Sequence, residues 1–145
     1  MKKELVRDWM TTDVITIHPD MTLPEAHQLM TNEEIRRLPV VDKRDRLVGI
    51  VSIGDVRSAE PSPATSLSIW ELNYLLSTLT IGKIMTAQPF TISPEATLAE
   101  AARMMLEHRV SGLPVVDEEH RVIGIITESD IFSMVVLHEW SKEHA

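Results

Sequence analysis

Polar and apolar positions follow the same order twice along the chain. Each pass opens on a short β-rich segment, Val14 to Ile17 and then Phe90 to Ile92, closed by Pro19 or Pro94. Thr22-x-x-Glu25 and Thr97-x-x-Glu100 have the form of capping boxes, so a helix is predicted after each. Leu23, Ala26 and Met30 fall on one face of the first helix, and Leu98, Ala101 and Met105 on the same face of the second. Two apolar runs come next, Leu38–Val41 and Leu47–Val51, around the charged turn Asp42-Lys43-Arg44-Asp45. Their counterparts are Leu113–Val116 and Val122–Ile126 around Asp117-Glu118-Glu119-His120, and both sets predict hairpins. A second helix is expected from about Ser52 or Thr127. The order strand, helix, strand, strand, helix therefore occurs twice.

The two passes are copies of one another. Sliding residues 6–56 onto 81–131, a shift of 75 positions, needs no gap and aligns 19 identical residues over 51. Random composition would give roughly three, at about 6% identity per position. The longest identical block is Leu38-Pro39-Val40-Val41-Asp42 with Leu113-Pro114-Val115-Val116-Asp117. This is an internal duplication, with residues 6–58 as the first repeat and 81–140 as the second.

Residues 59–80 join the copies. Glu60-Pro61-Ser62-Pro63-Ala64-Thr65-Ser66 is a turn-rich connector, and Ser68-x-x-Glu71 opens an extra helix running to about Leu79. Ile69, Leu72, Leu76 and Leu79 form one stripe of it, with Trp70 and Tyr74 on a neighbouring face. Either the helix simply packs against the sheets, or Trp70 and Tyr74 contribute to a dimer or partner surface. Phe132, Val136 and Trp140, four apart near the C-terminus, are expected to pack in the core, with a dimer contact as the alternative.

Composition narrows the function. With 43% hydrophobic and 25% charged residues the chain is globular. No apolar run reaches the length of a membrane span, and the N-terminus has no signal-peptide core, which points to a cytoplasmic protein. A formal net charge of −8 argues against nucleic acid as a partner, though not against a small anion held by local arginines. Absence of cysteine excludes disulfides and thiol chemistry. The six histidines show no metal-ligand spacing, and no Walker loop, GxSxG or Rossmann glycine series is present, so no catalytic residue and no metal site is expected.

The chemistry concentrates at two strand-to-helix junctions, Gly49-x-x-Ser52-x-x-Asp55 and Gly124-x-x-Thr127-x-x-Asp130. A glycine admits close backbone approach, a hydroxyl beside free helix N–H groups suits a phosphate, and the aspartate can accept from both ribose hydroxyls. Ser/Thr-x-x-Asp is also a plain helix cap that needs no ligand. Both readings stand at this point.

The duplicated pattern resembles a tandem pair of cystathionine-β-synthase-type (CBS) domains, a Bateman module. The residues carrying the likeness are ITIHPDMTLPEA, RRLPVVD and LVGIVSIGDV, then FTISPEATLAEA, SGLPVVD and VIGIITESDI. The linker SPATSLSIWELNYLL is similar to that of acetoin-utilisation B-type proteins. The resemblance implies an α+β fold of two β-α-β-β-α repeats in a pseudo-twofold pair with an extra linker helix. It further implies two clefts between the repeats for an adenosyl ligand: AMP first, then ADP, ATP or S-adenosylmethionine.

Carried over residue by residue, one cleft would use Thr127, Ser129 and Asp130 with Thr12, Val14 and Arg36. The other would use Ser52 and Asp55 with Ala87, Phe90 and Ser111. Arg37 stands where some relatives carry a phosphate-binding basic residue, while its counterpart is Gly112, so phosphate is expected to favour the side served by Arg36 and Arg37. The implied protein is a non-catalytic regulatory homodimer that signals to an effector protein. The alternative is a constitutive dimeric scaffold with degenerate sites.

Overall fold

The structure, a computed structural model, describes residues 4–61 and 66–144, with side chains described as far as His138. It divides into two compact units. One contains residues 15–89, the other residues 1–14 and 90–145.

In the unit of residues 15–89, helix α2 (Leu23–Glu33) leads into strands β1 (Arg37–Val41) and β2 (Leu47–Ser52), then helix α3 (Ile53–Ala59). The linker helix α4 (Ile69–Thr78), the single turn α5 (Ile81–Ile84) and the short strand β3 (Thr86–Ala87) complete it, in a sheet of order β1-β2-β3. In the other unit, the turn α1 (Val6–Trp9) and helix α6 (Leu98–His108) join the hairpin of β4 (Gly112–Val116) and β5 (Val122–Thr127), followed by α7 (Glu128–His144). This is an α+β fold built twice.

The sequence explains the elements position by position. Thr22 and Thr97 cap α2 and α6 by accepting from the amides of Glu25 and Glu100. Both helices stop at left-handed residues, Glu34 and Arg109, each with φ of 55°. The stripe Leu23, Ala26, Met30 is buried, and so is Leu98, Ala101, Met105. One core adds Ile17, Leu38, Val40, Val51, Val56 and Ile81. The other adds Ile92, Leu113, Val115, Ile126 and Val6.

Pro39 and Pro114 sit inside strands without leaving a donor missing. Pro39 O accepts from Ile17 N at 3.0 Å, and Pro114 O from Ile92 N at 3.1 Å. A strand residue points its N–H and C=O to the same side, so each proline turns its N–H-less edge away from the hairpin partner.

Three expectations are corrected. Val14–Ile17 and Phe90–Ile92 are not strands; each provides one parallel bridge, Ile17 to Val40 and Ile92 to Val115, before the proline ends the pairing. Ile69 leaves the packed stripe of α4 and is exposed, whereas Leu72 and Leu76 line the cleft against α2. Phe132 and Val136 are 62% and 64% exposed rather than core; the residues of α7 that pack against the core are Ile131 and Met134. The Trp140 side chain lies outside the described residues.

Candidate functional site

The opening segments of the two repeats are exchanged. Residues 81–87 open the second repeat but pair with the first repeat's β2, in the register Gly49 to Ala87 and Ile50 to Thr86. Residues 6–12 open the first repeat but bridge the second repeat's β5, where Thr11 and Ile125 exchange amide hydrogen bonds of 2.9 and 3.0 Å. Each unit thus combines pieces of both repeats. Thr12, which is exposed, and half-buried Val14 enter the same unit as Thr127, Ser129 and Asp130.

At the β2–α3 junction, Ser52 Oγ accepts from the Asp55 amide at 3.1 Å, and Asp55 Oδ2 accepts from the Ser52 amide at 2.9 Å. This is a complete capping box. At the β5–α7 junction, Asp130 Oδ2 accepts from the Thr127 amide at 2.8 Å and from its hydroxyl at 3.2 Å. In both carboxylates the cap uses Oδ2, and Oδ1 accepts from no described residue. Both side chains are half-buried, and among the described residues no buried side-chain oxygen lacks a hydrogen-bond partner, so that second oxygen keeps some exposure to solvent.

The neighbours of the two caps differ. Arg37 stands opposite Ser52 in the β1–β2 register, while Gly112 stands opposite Thr127. Arg36 O accepts from Ile53 N at 2.8 Å, and Ser111 O from Glu128 N at 3.1 Å, so each of these residues lies against the first turn of its helix. Arg36 is exposed and Arg37 half-buried. Ala87 pairs with Gly49 in the unit of Ser52 and Asp55. Phe90 and Ser111 belong to the unit of Asp130, and Arg36 to the unit of Asp55, because the exchange of leading segments ends at Val14 and Pro89 and leaves these three with their own repeats.

Sequence reasoning missed what faces the two glycines. A Cβ on Gly124 would lie 2.6 Å from Met10 Sδ and 3.0 Å from Thr11 O; one on Gly49 would overlap Met85 and lie 3.0 Å from Thr86 O. The close approach there is made by the chain itself. The signal was available, since Met10-Thr11 and Met85-Thr86 recur at the same offset as the glycines.

Among the described residues no group of three or more acidic or histidine side chains is placed to hold a metal. No described helix is long and apolar enough to cross a membrane.

A duplicated α+β unit with a capped carboxylate at each strand-to-helix junction defines the class, and the chain belongs to the CBS domain family, whose profile matches residues 6–62 and 81–137. Among solved structures it is similar to a putative acetoin utilization protein (AcuB) from Vibrio cholerae, 31% identical, with 99% of both chains covered and a TM-score of 0.78. CBSX2 in complex with AMP is 28% identical, covering 94% of this chain and 98% of that one, with a TM-score of 0.78. The CBS domain pair of protein MJ0100, in complex with 5′-methylthioadenosine and S-adenosyl-L-methionine, is 30% identical, covers 92% and 97%, and has a TM-score of 0.77. A CBS domain-containing protein of Dictyostelium discoideum is 35% identical over 134 residues, 92% of each chain. The inosine-5′-monophosphate dehydrogenase of Korarchaeum cryptofilum is 38% identical over 120 residues, yet the match spans only 22% of that enzyme.

Proposed function

We propose that the chain is a non-catalytic regulatory module that binds an adenosyl ligand, AMP in the first place, and passes the signal to a separate effector protein as a homodimer. The observation that carries this reading is the divided use of Asp55 and Asp130. One oxygen completes a helix cap and the other is left to accept from a ribose hydroxyl. Thr12, Val14, Thr127 and Ser129 would frame the Asp130 ligand; Ser52 and Ala87 would frame that of Asp55, with Phe90 and Ser111 assigned to it by resemblance. Arg36 and Arg37 supply the guanidinium groups that suit a phosphate. The ligands of CBSX2 and MJ0100 support the adenosyl class. A ligand held by residues of both repeats shifts their equilibrium only as far as its affinity differs between states.

A constitutive scaffold is the second reading. Its support is that the Ser52–Asp55 capping box is complete, that Asp130 already accepts from Thr127, and that each glycine is covered by methionine, none of which needs a ligand. Thermal shift with AMP, ADP, ATP and S-adenosylmethionine separates the two. A ligand at 100 times its Kd stabilises by about 2.7 kcal/mol. A rise with one or more of the four supports the sensor; an unchanged melting temperature with all four leaves the scaffold.

A further inference from the structure

Helix α4 packs beside α2 in the unit of residues 15–89, yet none of its ten residues is buried. Between the two helices lies a cavity of about 550 Å³, a size that suits a small organic molecule. Leu72 and Leu76 line it from α4, both half-buried, together with Leu23 of α2. The rest of the lining that α2 supplies is largely polar, with His27, Gln28 and Thr31 among it. A leucine stripe normally buries itself against an apolar face; this one spans a space it does not fill.

The polar lining is not shared by the second repeat. Seventy-five positions on, His27, Thr31 and Glu60 are replaced by Ala102, Leu106 and Val135. In the cavity His27 Nδ1 pairs with Glu60 Oε1, and the Thr31 hydroxyl donates to His27 O at 2.9 Å. Glu60 Oε2 accepts from no described residue. No described lysine or arginine lines the cavity, and Glu60 is its one acidic group, so its charge suits a cation rather than a phosphate.

We propose that this cavity is a second ligand site, for an organic amine whose apolar body lies against Leu23, Leu72 and Leu76 and whose ammonium group meets the Glu60 carboxylate. The site is independent of the adenosyl reading, since neither Asp55 nor Asp130 lines it. Its occupant completes the packing that α4 lacks and ties the linker helix to the first repeat.

The test is an NMR titration of the full chain with three probes of like body and different charge: 2-phenylethylamine, 2-phenylethanol and 3-phenylpropionate. Amide shifts are expected to move in α2 and α4, with the amine bound about fivefold more tightly than the alcohol, the upper range for a half-exposed ion pair, and the carboxylate bound least. Glu60→Gln brings amine and alcohol to equal affinity while the alcohol still binds, which a loss of folding would not allow. His27→Gln breaks the same ion pair but leaves the carboxylate, and keeps the preference for the amine. A preference that survives Glu60→Gln, or is lost equally in His27→Gln, overturns the role of Glu60. Shifts centred outside α2 and α4, or none with any probe, overturn the site.

Discussion

Met10 covers Gly124 so closely that a Cβ on the glycine would lie 2.6 Å from its Sδ. The two residues come from different repeats, and their contact accompanies the Thr11–Ile125 bridge that fastens the leading segment to β5. Met85, Gly49 and the β2–β3 pairing repeat the arrangement in the other unit. The glycines thus serve the exchange of leading segments, and through it the entry of Thr12 and Val14 into the unit of Asp130.

Gly124→Ala is expected to destabilise the protein by about 1–3 kcal/mol, the range for overpacking a well-filled site. Urea denaturation of the single variants Gly124→Ala and Met10→Ala and of the double variant checks the cause. If Met10 is the obstacle, the double variant loses less than the sum of the two singles. Additive losses would place the strain on the Thr11 carbonyl instead.

Glu34 and Arg109 end their helices with φ of 55°, a conformation that favours glycine. Glu34→Gly and Arg109→Gly should each stabilise by about 0.5–1 kcal/mol, the left-handed penalty less the entropy that glycine loses on folding. Thermal melts of both variants read this directly; a fall in melting temperature would mean that the replaced side chain contributes more than its backbone costs.

Much of this architecture was legible because it was written twice. The helix stripes, the Asp42 and Asp117 turns and the Ser52 and Thr127 helix starts each appear at one offset, so chance periodicity was filtered out. Pairing partners were not legible. Nothing local in Val6 or Ile81 says that each packs under the hairpin of the other repeat, yet both are fully buried there. The sequence leaves two reasons for each glycine open, a ligand's approach or the end of the strand's side-chain packing, because a glycine's neighbour across space is unknown from its own sequence. Phe132 and Val136 failed for another reason: a helical stripe gives a face, not what covers it.

Acid should loosen both hairpins in the same pH range. The Arg46 amide, donating to Asp42 Oδ1 at 3.0 Å, is the main cause holding the Asp42 carboxyl below its ordinary value of 3.8. The Arg44 amide and the Arg46 guanidinium add to it. Asp117 is lowered in the same way, first by the Arg121 amide at 2.9 Å and then by that of Glu119. A carboxyl with a depressed folded value contributes stability fully above its unfolded value, and loses it as pH falls through the folded one. Stability should therefore decline from just above pH 3.8 downward, and Asp42→Asn with Asp117→Asn should flatten that decline. Urea midpoints measured from pH 6 to pH 2.5 test it; parallel slopes for wild type and double variant would assign the loss to other carboxylates.

The two duties of Asp130 can be separated by chemistry that changes charge and keeps shape. Asp130→Ala removes the acceptor for the Thr127 amide and should cost about 0.5–2 kcal/mol, as losing a helix cap does, with or without ligand. Asp130→Asn retains a carbonyl oxygen for that amide but presents an N–H₂ group or a weaker acceptor to a ribose diol. Its melting temperature without ligand should stay near that of the wild type while AMP affinity falls, because charge-assisted hydrogen bonds are roughly twice as strong as neutral ones. A variant that melts like the wild type and binds AMP equally well would confine Asp130 to the cap, and the same pair of substitutions at Asp55 would then decide whether either carboxylate meets a ligand at all.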